Sequence, residues 1–142
     1  MFELVAGVLI VVPMVLLTRR QHYQSWFYSL SLVSLPLIYM GFGVFAHGEE
    51  VVMKELLYGL PFILTGLLAL FFSFKHSAYL VAILWFGHGG YDLYHDYLFI
   101  NNGVWSWYPL FCAAIDVTLA GYIFYSAKQW PQSNIRLADE YA

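Results

Sequence analysis

The sequence predicts an all-α, polytopic membrane helix bundle, and three observations carry that prediction. Of 142 residues, 61% are hydrophobic and only 11% are charged, whereas a soluble domain carries about 25% charged residues. Mean hydropathy is +0.67. The apolar residues also fall into long runs, most of them sufficient to cross a hydrocarbon core of about 30 Å at 1.5 Å per residue.

Five spans are expected, at about Phe2–Leu17, Ser25–Phe45, Val51–Phe74, Ser77–Ile100 and Trp105–Ser126. The first is short and carries Pro13, so a kink or an edge position is expected for it. It does not read as a cleavable signal: Glu3 precedes the apolar run, and Arg19 and Arg20 follow it. No Ser/Pro/Gly-rich linker divides the chain. Residues 1–128 are therefore expected to form one bundle, with 129–142 as a short polar cytoplasmic tail.

Basic residues set the expected orientation. Arg19, Arg20, Lys75, Lys128 and Arg136 flank one side, and Lys54 stands alone on the other beside Glu49 and Glu50. By the positive-inside rule the N-terminus is outside and the C-terminus cytoplasmic. The expected location is multi-pass, in a bacterial inner (plasma) membrane. Tyr91, Tyr94, Tyr97, Trp105, Trp107 and Tyr108 mark one aromatic belt, and Tyr23, Trp26, Tyr28, Tyr125 and Trp130 the other. Tyr91 and Tyr94 interleave with polar positions and are set apart from the anchors.

The net charge of −3 gives little guide to partners, because Asp92, Asp96 and Asp116 lie within apolar spans. No basic patch suggests nucleic acid. Cys112 is the sole cysteine, which excludes an intrachain disulfide and a thiolate metal cluster. It reads as a small apolar core residue.

The chemistry concentrates in span four, where His88, Asp92, His95 and Asp96 occur within nine residues. Each charge at bilayer depth costs at least about 2.5–3.5 kcal/mol on insertion scales, which makes such residues functional candidates. At 100° per residue His88, Asp92 and His95 share one helical face, with Asp96 on its shoulder. Spans four and five are consecutive and antiparallel, joined by Asn101-Asn102-Gly103, so Asp116 is expected near the level of His88. Glu55 and Tyr58 enter span three at the depth of His95.

The expectation is a blind pocket in the outer half of the membrane, formed by Glu55, Tyr58, His88, Asp92, His95, Asp96, Cys112 and Asp116. Beyond it the Tyr79–Phe86 stretch is nearly all apolar, which fits binding or catalysis better than a through pore. His47 and His76, near span ends, read as boundary residues. Gly41, Gly43, Gly59 and Gly66 read as packing positions, as does the pair Gly89-Gly90, with a local bend at that pair as the alternative.

Imidazoles with carboxylates suit a divalent transition metal: zinc, or else iron or manganese. His88 and His95 are about 10.5 Å apart along a regular helix, too far to share an ion easily. Ligands are expected from adjacent turns, His88 with Asp92 or Asp92 with His95, with Asp116 completing the set. The alternative is a satisfied hydrogen-bond network that only fixes the bundle.

The pattern His88-x3-Asp92-x2-His95-Asp96, followed by Pro109-x2-Cys112-Ala113-x2-Asp116, resembles a small, functionally uncharacterised family of integral-membrane proteins. The likeness covers the last two helices, about a third of the chain, and this chain departs at Asp96, where that family often has a second histidine. A looser likeness, in ligand type alone, is to the alkaline ceramidase and adiponectin-receptor superfamily. Those seven-helix membrane hydrolases have a zinc site of histidines and aspartate. Membrane di-iron desaturases fit poorly, since five scattered histidines cannot build their His boxes.

The leading expectation is a metal-dependent membrane-embedded enzyme, hydrolase-like, acting on a lipid-like or small amphipathic substrate. His88, Asp92, His95 and Asp116 would hold the ion, and Asp96 or Glu55 would shuttle protons. Transport or sensing of a proton or metal ion is the second reading, and an accessory subunit of a membrane complex the third. Membrane lipids are the expected surroundings, and homo-oligomerisation stays open.

Overall fold

A computed structural model describes residues 1–20, 24–71 and 77–129. The readings made for Tyr23, Lys75, His76, Trp130, Arg136 and the polar tail lie outside the described residues. Five α-helices follow in order: α1 (Phe2–Arg20), α2 (Gln24–Phe45), α3 (Glu49–Phe71), α4 (Ser77–Leu98) and α5 (Tyr108–Ser126). A single 3₁₀ turn, Ala127–Gln129, ends the described chain.

The all-α expectation holds, and α1, α2, α3 and α5 are long and apolar enough to cross a membrane. By the same composition α4 falls short, because its second half carries the His and Asp residues. α1 is longer than expected and remains helical through Pro13 to Arg20. A proline removes one backbone hydrogen bond from a helix interior, and here that loss does not end the helix.

The helices pair unequally. α2 packs closely on α3, and α4 on α5. α1 lies against α5, while α3 and α2 meet α4 more lightly. Glycines make the tight contacts. A Cβ at Gly59 would collide with the Pro36 ring, and one at Gly66 would lie 2.8 Å from Val33 Cγ2. At Gly7 it would lie 2.7 Å from the Phe111 carbonyl oxygen. Small residues thus let membrane helices approach closely, as expected for Gly43, Gly59 and Gly66. Gly41 differs, with open space beside it.

The α2–α3 turn shows why helix α2 stops. His47 has φ 54°, the left-handed conformation. Its N–H donates to the Val44 carbonyl at 3.0 Å, and the Gly48 N–H to that of Gly43 at 3.0 Å. This is a Schellman closure with His47 in the position glycine usually takes. Glu49 and Glu50 then open α3, where acidic side chains favour the helix dipole.

One half of the bundle is a mostly apolar core. Val11, Tyr28, Leu32, Val81, Ala82, Trp85, Leu119, Ala120 and Ile123 are buried together. Its polar groups bond within it: Thr118 donates to Ala114 O and Ser126 to Ile123 O along α5, while Gln24 Nε2 donates to Tyr122 Oη, Trp85 Nε1 to Tyr28 O, and Thr18 Oγ1 pairs with Tyr28 Oη between helices. The buried ionisable side chains, Glu55, His88, Asp92, His95 and Asp116, lie in the other half, toward the α4 C-terminus.

Candidate metal centre and its hydrogen-bonded neighbour

Helix α4 supplies most of the site because its polar residues recur every three to four positions, so His88, Asp92 and His95 all turn into the bundle. Each is at most 1% exposed, as are Glu55 and Asp116. Gly89 brings α5 close behind them: a Cβ there would lie 3.0 Å from Asp116 Cβ and 3.4 Å from Ala113 O. Gly90, its neighbour, meets nothing within 4 Å. The helix runs on through both glycines, so Gly89 serves packing and no break in the helix is involved.

The polar residues divide into two groups. In the first, His88 Nδ1 lies 2.8 Å from Asp116 Oδ2 and 3.6 Å from Asp92 Oδ2. Tyr39 Oη, from α2, donates to Asp92 Oδ1 at 2.8 Å. One potential ligand atom from each of His88, Asp92 and Asp116 lies within 4.8 Å of the others. Three atoms here have no hydrogen-bond partner among the described residues: His88 Nε2, Asp92 Oδ2 and Asp116 Oδ1. Buried polar atoms are ordinarily bonded, so each exception asks for an explanation.

The second group lies one to two turns further along α4. Glu55 Oε1 accepts from Asn101 Nδ2 at 2.8 Å and sits 2.9 Å from His95 Nε2, while Oε2 accepts from Tyr91 Oη at 2.7 Å. His95 Nδ1 faces Asp96 Oδ1 at 3.1 Å. His95 therefore has both ring nitrogens occupied by carboxylates and stands outside the three-residue group. Asp96 sits at the surface, its side chain 69% exposed.

Aromatic rings wall the two groups. Tyr39 lies against His95 at 4.8 Å between ring centroids, Phe62 meets His88 edge-on at 5.0 Å, and Tyr91 contacts both histidines. Tyr58 stacks on Phe99 and packs beside Tyr91. Of the two tyrosines set apart in the sequence, Tyr91 enters the site and Tyr94 faces outward, 63% exposed. Cys112 is buried beside the site on α5, as a core residue would be.

Two contributors are not evident from sequence. Tyr39 sits in an apolar span, where a tyrosine reads as packing or anchoring. Asn101 lies in what looks like a simple turn. The α4–α5 connection is longer than that, spanning 99–107, and folds inward. Asn101 is buried and reaches both Glu55 and the Tyr39 carbonyl, while its Oδ1 accepts from Gly103 N at 3.1 Å. Gly103 passes so close to the Phe42 carbonyl that any Cβ would overlap it.

Compared with protein-family models, curated proteins and solved structures, the chain matches none. The site's meaning must come from its own geometry: a buried group of one histidine and two aspartates able to hold a metal ion, in a chain whose long apolar helices make it a multi-pass membrane protein.

Proposed function

We propose that the chain is a five-span membrane protein whose His88, Asp92 and Asp116 hold one divalent transition metal, zinc foremost, with iron or manganese as alternatives. The observation that carries this reading is the set of three unpartnered atoms, one on each residue. Unbonded acceptors in an apolar bundle cost about 1–3 kcal/mol each, and two carboxylates bring up to two negative charges with them. A divalent cation answers both problems together. Zinc sites with imidazole and carboxylate oxygens at about 2.0–2.2 Å are well precedented.

In this reading α4 is the fifth span despite its polarity, because His88, Asp92 and His95 face other helices rather than lipid and the exposed Asp96 lies near the helix's C-terminal end. The basic residues put the N-terminus outside, so the site sits in the outer half of the membrane, in a bacterial inner membrane. Three protein ligands leave one coordination position open, as catalytic metal sites do. A metal bound there would supply Lewis acidity and an activated water. We infer a hydrolase-like enzyme acting on a lipid-like or small amphipathic substrate, which would enter where α3 and α4 meet lightly. The mostly apolar core filling the other half of the bundle supports a closed-ended site over a conducting path.

The test is elemental analysis of protein purified without chelators. About one transition-metal ion per chain is expected for the wild type, and a small fraction of that for His88→Ala and for Asp116→Asn. Wild-type protein that neither carries nor takes up a stoichiometric metal overturns the reading. Ester or amide turnover by loaded protein on lipid substrates, absent in the same variants, tests the hydrolase step separately.

A further inference from the structure

His95 has a carboxylate on each ring nitrogen: Glu55 Oε1 at 2.9 Å from Nε2 and Asp96 Oδ1 at 3.1 Å from Nδ1. A hydrogen bond needs one proton between its heavy atoms. A neutral imidazole brings one, and ionised carboxylates bring none. Both bonds therefore coexist only when the three groups share two protons.

The ends of this series stand in different surroundings. Asp96 is largely exposed, near the C-terminal end of α4, while His95 and Glu55 have side chains 0% and 1% exposed. Glu55 is held from its other directions by Tyr91 Oη and Asn101 Nδ2. The groups facing His95 are Tyr39 from α2, Glu55 from α3, and Tyr91, Asp96 and Phe99 from α4 and its end. The nearby cation, Lys54, is paired with Glu50 and lies 6.0 Å from the Phe99 ring centroid.

We propose that Asp96, His95 and Glu55 form a reversible proton relay between the surface and the bundle interior. In one state Asp96 is the acid, its proton bonded to Nδ1, and Nε2–H donates to ionised Glu55. Asp96 then passes its proton to Nδ1 as Nε2 releases its own to Glu55. The second state has ionised Asp96, a ring protonated on Nδ1, and Glu55 as the acid. Both states hold two protons and one net negative charge, so the step balances without any co-reactant. Its result is a proton delivered to a buried carboxylate and, on reversal, recovered from it. Service as acid–base partner to the metal group rests on the reading proposed above; the relay itself rests only on its own contacts.

The experiment is nitrogen-15 NMR of histidine-labelled, chelator-stripped protein in micelles, with the His95 signals identified by their loss in His95→Gln. The ring protons of wild-type His95 are expected to exchange with water faster than the backbone amides of residues 92–98, because they leave through Asp96 without local opening. Asp96→Asn, a surface change, is expected to slow that exchange at least about tenfold, toward the rate set by local opening, and Asp96→Glu to restore it. Ring exchange no faster than the neighbouring amides, or unchanged in Asp96→Asn, overturns the relay. Since no metal is present, failure here is separate from failure of the metal site.

Discussion

Tyr39 Oη donates to Asp92 Oδ1 across 2.8 Å, from α2 to α4, and so decides which oxygen of Asp92 stays free. Oδ2 is left facing His88 Nδ1 at 3.6 Å. Partners behind a metal ligand commonly govern affinity by about 10–100-fold. Tyr39→Phe keeps the ring against His95 and removes only the donor. Metal affinity, read by competition with a chromophoric chelator, is expected to fall by about that factor. An unchanged affinity would show that Asp92 is oriented by something else.

The adjacent glycines of α4 offer a contrast that composition alone would not suggest. A methyl at Gly89 would press on Asp116 Cβ and Val117, at 3.0 and 3.2 Å, while one at Gly90 meets open space. Overpacking a tight contact costs about 1–3 kcal/mol. Gly89→Ala should therefore lower thermal stability and displace Asp116, weakening metal uptake with it. For Gly90→Ala stability should hold or rise by up to about 1 kcal/mol, the helix-propensity difference. Parallel melting curves and metal titrations of the two variants check both statements, and equal behaviour would contradict the packing geometry.

These residues also mark how far the sequence can be read. Helical phase placed His88 and Asp92 on one face, and the antiparallel pairing of consecutive spans brought Asp116 to them, because both follow from local periodicity. Phase could not say which neighbouring helix each side chain would meet. His95 lies on the same stripe as His88, yet it faces Glu55 of α3 and takes no part in the three-residue group. Tyr39 and Asn101 stayed hidden for a related reason. Their roles depend on how the α2–α3 pair settles against α4 and on the inward fold of a connection, neither of which has a sequence period. The same polar residues that reveal the site lower the hydropathy of α4 below that of the other helices.

His47 occupies a left-handed position at the end of α2, with φ 54°. That conformation costs an L-residue about 1–2 kcal/mol, and most for β-branched side chains. Replacement by glycine is expected to be neutral or to stabilise by up to about 1 kcal/mol, after the entropy that glycine gains when unfolded. His47→Val should destabilise by about 1–2 kcal/mol. The relevant measurement is denaturation in a mild detergent. A valine variant as stable as the glycine one would mean that the turn does not hold this conformation.

A metal that binds the folded bundle and not the unfolded chain must raise stability by mass action, about 2.7 kcal/mol at a hundred times Kd. The group's atoms His88 Nε2, Asp92 Oδ2 and Asp116 Oδ1 have no hydrogen-bond partner among the described residues, so a bound metal would satisfy what the metal-free group leaves unpaired. Adding zinc to chelator-treated wild type is thus expected to raise Tm in a concentration-dependent way, and the chelator to reverse it. Asp116→Asn changes the balance in both directions. It removes one carboxylate charge from a buried cluster, so the metal-free variant should be less stable than metal-free wild type by no more than about 1–3 kcal/mol, the cost of one disturbed buried bond. It should also lose most of the zinc-induced rise. A variant that still gains the full increment would place the bound ion somewhere other than beside Asp116, because a ligand removed from the true site cannot leave the linkage intact.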